Sequence, residues 1–272
     1  MTATPKMLSR TNGSQLAYIH HQGSSPGVVF CSGFHSDMNG GKALALDAFC
    51  RTNKIQFTRF DYFGHGQSSG QIENGSIGRW LSDTRAILEQ VTAGPQIIVG
   101  SSMGGWLMLL AAMACPQRIQ ALVGIAVAAD YTEDMRQRRL GPVQTRQLRQ
   151  NGWCDLPNKY DDQEPYRISQ ALLDEAQQHL LLRREELPID VPVRLLHGML
   201  DEDVPWEKSL QVIDKLRSAD VELLLMKTGD HRLSSPRQLE TLCATVGRLI
   251  GVTPGASFEH SVHSDREMPT DA

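Results

Sequence analysis

A chain of 272 residues with 40% hydrophobic and 21% charged side chains has an ordinary globular composition and is long enough to bury a core without disulfide or metal staples. A formal net charge of −4 gives no electrostatic ground for nucleic-acid binding or for an anionic membrane surface. The five cysteines, Cys31, Cys50, Cys115, Cys154 and Cys243, are odd in number and show no CxxC spacing, which argues against a disulfide framework or a zinc site and suits a reducing compartment.

The chain opens MTATPKMLSRTNGSQ, with no apolar signal core and only Lys6 and Arg10 as basic residues, so neither a secretory signal nor a transit peptide is expected. No apolar run approaches the roughly 18 residues needed to span a bilayer. The first β-rich runs lie at 16–20, 28–31 and 57–60. The second leads into Ser32-Gly33-Phe34-His35, and the third into Asp61-Tyr62-Phe63-Gly64-His65-Gly66-Gln67-Ser68. No strand–GxGxxG–helix unit occurs, so a dinucleotide site is not expected. His65, between two glycines, reads as part of a structural turn under the site floor.

Ile77, Trp80, Leu81, Thr84, Ile87, Leu88 and Val91 fall on one face at helical period. A strand at 97–100 then meets a helix that is nearly all apolar over 107–114 and should be buried on most sides. A sixth strand pattern covers 121–127. From about 130 to 188 no strand pattern appears: polar helix formers are followed by Gly152, Pro157 and Pro165, then by a helical run over 169–184. A segment of roughly 55–60 residues is too long for a plain connection and reads as an inserted helical lid. Within it Arg136, Arg138, Arg139, Arg146 and Arg149 lie in a stretch without acid. This reads either as a solvated helix face or as a cationic surface for a carboxylate-bearing leaving group.

Strands at 193–197 and 221–226 and helices at 209–218 and 236–250 complete the alternation, the last helix with proline in its first turn. Alternation of this kind specifies an α/β fold with a mostly parallel central sheet flanked by helices. Residues 1–250 read as a single domain and 251–272 as a disordered polar tail, in which His260 and His263 are too little to argue a metal site.

The chemistry centres on Gly100-Ser101-Ser102-Met103-Gly104, a G-x-S-x-G between an apolar strand and an apolar helix. A tight strand-to-helix turn strains the serine backbone and lifts its hydroxyl clear of the sheet, and glycines two residues either side remove the Cβ atoms that would clash. Ser102 is the expected nucleophile. It needs a base and an acid, which should follow it in the order acid, then histidine, each after a strand. The strand at 221–226 leads to Gly229-Asp230-His231, making His231 the base; His197 reads as the end of a strand inside the scaffold. The strand at 193–197 leads to Asp201, the expected acid, with Asp203 and then Glu202 as competitors. Asp230, adjacent to His231, is a poor orienting partner. The backbone N–H groups of Met103 and Phe34 are the expected oxyanion hole, with Gly33 allowing close approach.

Together these segments resemble the α/β-hydrolase superfamily, down to His-Gly-x-x-Asp-x-x-Val-Pro from His197 and Gly-Asp-His from Gly229. Met38-Asn39-Gly40-Gly41-Lys42-Ala43-Leu44-Ala45, Gly94-Pro95-Gln96-Ile97, Gly100 through Leu109, and Arg194-Leu195-Leu196-His197-Gly198-Met199 narrow it. They resemble the animal mitochondrial palmitoyl-protein thioesterase and acyl-glucuronide esterase subfamily and its bacterial relatives, over about 16–249. The resemblance implies cleavage of S-palmitoyl thioesters or acyl glucuronides, and carries the triad onto Ser102, Asp201 and His231.

The expected function is therefore acyl ester or thioester hydrolysis through an acyl-serine, with no cofactor or metal. The alternatives are a general carboxylesterase on small esters and, further off, a non-catalytic binding protein on the same fold. The expected partner is a small-molecule acyl compound or an acylated protein, without nucleic acid or stable membrane insertion. The short N-terminus favours a cytoplasmic, bacterial-type relative, with the mitochondrial matrix as the alternative. The motifs encode no substrate-binding residues, acyl length or oligomeric state.

Overall fold

The computed structural model describes residues 4–157 and 165–252. The first half runs β1 (Lys6–Ser9), β2 (Gln15–His21), β3 (Ser24–Cys31), α1 (Gly41–Thr52), β4 (Ile55–Phe60), α2 (Ile77–Gln90), β5 (Gln96–Ser101), α3 (Met103–Ala114) and β6 (Ile119–Ile125). An insertion follows, with α4 (Tyr131–Asp134), a π-helical turn (Met135–Arg139), α5 (Pro142–Asn151), β7 (Trp153–Leu156), β8 (Tyr166–Ser169) and α6 (Gln170–Glu175). The chain closes with β9 (Val193–Gly198), α7 (Glu207–Lys215), β10 (Val221–Met226) and α8 (Pro236–Ile250).

Eight strands form one sheet in the order β1-β2-β4-β3-β5-β6-β9-β10. Only the β1–β2 and β2–β4 pairings are antiparallel; β4, β3, β5, β6, β9 and β10 run parallel. The central strands have helices on both faces, so they are apolar on both sides. Val29, Ile98 and Leu122 line up across β3, β5 and β6 in one core layer, while Val28, Ile97 and Ala121 belong to the other. Helix α3 is buried from Met103 to Ala112, which explains its almost wholly apolar sequence. Helix α8 starts with a Ser235–Gln238 capping box and Pro236 in its first turn, and ends at Gly251 in the left-handed region.

Three expected elements end early, the helix expected over 209–218 stopping at Lys215. The sixth strand stops at Ile125, because Ala126 takes φ 47° and turns the chain under the site. The helical run expected over 169–184 is helical only as α6 and a 3₁₀ turn at Ala176–His179. Beyond it the Asp130 carboxylate accepts from the backbone N–H of Leu181 and Leu182, at 2.8 Å each, so those amides bond to a side chain rather than to a preceding turn.

Four elements were not legible. Strand β1 is a four-residue edge strand with too little periodicity to register. The pattern of α1 is broken by a charge on its buried side, Asp47, which is paired with Arg59 at 2.8 Å. The antiparallel pair β7–β8 lies inside the segment read as purely helical. Its strands have four residues each, and Tyr166 and Arg167 gain their place by pairing across to Leu156 and Asp155. All five cysteines are free and buried. Among the described residues no helix is long and apolar enough to cross a membrane. The tail reading, with His260 and His263, falls beyond residue 252 and outside the described residues, as does the part of the lid reading at 158–164.

Candidate active site

Ser102 stands between the end of β5 and the start of α3 with φ 56° and ψ −119°, a backbone region that non-glycine residues avoid. The turn holds because its amide donates to Ile125 O at 2.9 Å and its carbonyl accepts from Ala128 N at 3.1 Å. Gly104 is required beside it: a Cβ there would lie 2.1 Å from the carbonyl oxygen of Cys31. Met103 is the first residue of α3, so its N–H has no intrahelical acceptor.

His231 follows β10 and brings Nε2 to 3.1 Å from Ser102 Oγ, across 129 residues of chain. Its Nδ1 lies 2.8 Å from Asp201 Oδ2. A neutral His231 with its proton on Nδ1 donates to Asp201 and accepts from the serine hydroxyl. The loops carrying the two residues meet where Leu200 N donates to Gly229 O at 2.8 Å. Gly198 makes this approach possible, since a Cβ there would be 2.2 Å from Gly229 O.

Asp201 has no exposed side-chain surface. Its Oδ1 accepts from the amides of Asp203 at 2.9 Å and Val204 at 2.8 Å, and its Oδ2 accepts from His231 and, at 3.1 Å, from His197. Burial by itself raises its pKa, but the hydrogen bonds from His197 and His231 outweigh that and hold the carboxyl well below the usual carboxylate range. Asp203 pairs with Arg139 at 3.0 Å. Asp230 accepts from Leu233 N at 3.0 Å, a local turn bond. Asp201, Asp203 and His231 each offer a ligand atom within 4.8 Å of the others. The Asp201 oxygens in that grouping already accept four N–H donors, which leaves little capacity for a cation.

A cavity of about 440 Å³ opens over Ser102. Phe34, Met103, Ala128, Tyr131 and Met135 give it an apolar wall, and Lys42, Arg139, Tyr166, Asp203 and Arg232 a polar one. Phe34 lies in the loop after β3, and Gly33 packs against the serine, its virtual Cβ 3.4 Å from Ser102 Cβ. Lys42 donates to the carbonyl of Arg232, tying α1 to the His231 loop. Burial, with the charge of Arg232 adding to it, pushes the Lys42 ammonium down to about 8. His65 does not line the cavity. It is buried behind Phe34, with its ring edge-on to Trp80 at 5.3 Å, and burial pushes its pKa down to about 4.

The arginine stretch divides. Arg139 lines the cavity while paired with Asp203, and Arg136 is bound to Asp174 at 2.6 Å. Arg146 and Arg149 are exposed and line a separate shallow depression on α5. Tyr131, Met135 and Tyr166 carried no motif, and Lys42 stood in the 38–45 segment with no site role assigned; they reach the cavity from the insertion and from α1, and only the packing reveals this.

The arrangement sets a serine hydroxyl, an imidazole and a buried carboxylate each within hydrogen-bond distance of the next, beside a half-apolar cavity. Comparison with known proteins bears on the family. The profile of the serine aminopeptidase S33 family (Hydrolase_4) matches residues 24–160. The mouse protein named "Palmitoyl-protein thioesterase ABHD10, mitochondrial" is 43% identical over 91% of this chain and 83% of its own length. The solved structure of mouse alpha/beta hydrolase domain-containing protein 10 superposes with a TM-score of 0.83 at 43% identity, covering 92% of this chain and 99% of that one. A hydrolase of Agrobacterium vitis superposes with a TM-score of 0.85 at 30% identity, over 90% of this chain and 97% of the other. On this fold, this sequence identity and this coverage, the chain is a hydrolytic enzyme and belongs to the α/β-hydrolase family that contains these mitochondrial thioesterases.

Proposed function

We propose that the chain cleaves S-acyl thioesters, long-chain S-palmitoyl thioesters among them, and acyl glucuronides, with Ser102 as nucleophile, His231 as general base and acid, and Asp201 as orienting acid. The observation that carries this is the unbroken contact path from Ser102 Oγ to His231 Nε2 at 3.1 Å and from His231 Nδ1 to Asp201 Oδ2 at 2.8 Å. The substrate class is supported by the name of the mouse relative and by the apolar wall from Phe34 to Met135.

Ser102 Oγ attacks the acyl carbonyl carbon as His231 Nε2 takes the hydroxyl proton. Asp201 stabilises the imidazolium without itself taking a proton. The N–H groups of Met103 and Phe34 donate to the developing oxyanion, the first of them at a helix N-terminus that favours negative charge. His231 returns the proton to the departing thiol or hydroxyl as the carbon–sulfur or carbon–oxygen bond breaks. Water then attacks the acyl-serine by the same route and releases a carboxylic acid. No step calls on a cofactor.

Residues 130–188 act as the lid of a single hydrolase domain spanning 1–250 and supply Tyr131, Met135, Arg139 and Tyr166 to the cavity. The partner is accordingly an acylated protein or a small acyl compound. The mitochondrial designation of the mouse relative supports the matrix reading of location; nothing supports the cytoplasmic one.

The test is a panel of palmitoyl thioester, acyl glucuronide and short carboxylester, run on the wild type and Ser102→Ala. The reading requires the alanine variant to lose turnover and labelling by a fluorophosphonate. A wild-type preference for short carboxylesters over both other classes would make this a general carboxylesterase instead.

A further inference from the structure

His197, at the end of β9, has no exposed side-chain surface, and both its ring nitrogens are engaged. Nδ1 lies 2.7 Å from Ser209 Oγ, itself fully buried in the first turn of α7. Nε2 lies 3.0 Å from the carbonyl oxygen of Val204 and 3.1 Å from Asp201 Oδ2. The Val204 carbonyl can only accept, so Nε2 carries the proton and shares it with Asp201. Nδ1 is then bare and accepts from the Ser209 hydroxyl. A strand-end scaffold histidine has no need of this arrangement.

Asp201 Oδ2 therefore receives two imidazole N–H groups, one from His231 and one from His197. The backbone amides of Asp203 and Val204 hold only Oδ1. Without His197, the oxygen that orients His231 would be held by His231 alone. We propose that His197 is a positioning residue for hydrolysis, its Nε2–H locking the Asp201 carboxylate in the rotamer that faces His231 and the Ser209 hydroxyl locking the tautomer that supplies this proton. The proposal rests on the triad reading above. A neutral imidazole suits the task because a buried lysine or arginine would cancel the negative charge that stabilises the His231 imidazolium, whereas imidazole restrains the carboxylate and leaves that charge intact.

The test uses His197→Leu, His197→Asn and His197→Gln in the whole enzyme, with thermal unfolding to establish that each is folded. Leucine removes the donor, the shorter asparagine amide falls short of Asp201, and glutamine can bring an N–H to nearly the Nε2 position. Expected are a fall in kcat of about tenfold to a hundredfold for His197→Leu and His197→Asn, with KM within about twofold, and recovery of most of the loss in His197→Gln. In an Asp201→Asn background, His197→Leu should cost little more, because residues acting as one unit are not additive. A folded leucine or asparagine variant with kcat within about twofold of wild type overturns the proposal, as do a glutamine variant no faster than leucine and losses that multiply with Asp201→Asn. Ser102→Ala separates the two levels: activity retained there removes the triad reading itself, whereas its loss alongside a normal His197→Leu removes only the role of His197.

Discussion

The guanidinium of Arg139 lies 3.0 Å from Asp203 Oδ1, and this ion pair, from an insertion residue to the loop after β9, gives different partners to two aspartates that stand two residues apart. Asp203 is held by Arg139, and Asp201 is left to face His231 at 2.8 Å. Asp201→Asn should therefore lower kcat by about 10⁴-fold, since an amide favours the wrong imidazole tautomer. Asp203→Asn keeps its backbone N–H to Asp201 and should cost no more than about tenfold. Steady-state kinetics on the two variants decide; the reverse order would move the acid to Asp203.

Ser102 pays for its exposure with a φ of 56° and a ψ of −119°. Ser102→Gly removes the steric part of that strain, while Ser102→Ala keeps it. The glycine variant should be more stable than the alanine variant by about 1 kcal/mol, after allowing for the extra backbone entropy of glycine. Both should be inactive. Urea unfolding of the pair measures this, and equal midpoints would show that the turn is not strained.

Gly104 has no room for a methyl group, because its virtual Cβ sits 2.1 Å from Cys31 O in β3. Gly104→Ala must push α3 away from the sheet, at a cost of about 3 kcal/mol or more, and should abolish activity by moving Met103 and Ser102. Gly41→Ala is the control. Nothing lies within 4 Å of its virtual Cβ, and it opens α1, so the change should be neutral or stabilising by up to about 1 kcal/mol. Denaturant midpoints of the two variants should diverge accordingly.

His65 links acid sensitivity to the turn behind Phe34. Burial lowers its pKa from 6.5 to about 4 in the folded protein. Between these values the unfolded chain binds more protons than the folded one, so this contribution to stability is complete above pH 6.5 and falls away as the pH drops towards 4. His65→Phe removes the titration. Between pH 7 and 4 the wild type should lose on the order of 2–3 kcal/mol more stability than the variant. Parallel slopes of stability against pH would contradict this.

Met135 sits in the π-helical turn and forms part of the apolar cavity wall. Met135→Trp should fill acyl space without touching Ser102, His231 or Asp201. The expected result is a fall of about tenfold or more in kcat/KM for a palmitoyl thioester, with an acetyl ester little changed. An equal loss on both substrates would place the acyl chain elsewhere.

What the sequence determined is what short-range physics encodes. Ser102 was legible because its requirements are local: an apolar strand, an apolar helix and glycines at 100 and 104. The parallel core was legible because strands buried on both faces must be continuously apolar, and chain order limited the expected base and acid to two loops. The tertiary structure decided everything that depends on which group comes within 3 Å of another. It divided Asp201 from Asp203 through Arg139, and it turned His197 toward Asp201. It made a β7–β8 pair of two segments whose own periodicity is too short to declare strands, and it drew Lys42 and Met135 to one cavity from α1 and the insertion. A hydrogen bond across 30 or 129 residues leaves no periodic trace in sequence, because its geometry is set by how helices and loops pack on the sheet. The serine and its turn are therefore written locally, chain order names His231 and Asp201 as its expected partners, and only the fold brings the three side chains within hydrogen-bond distance.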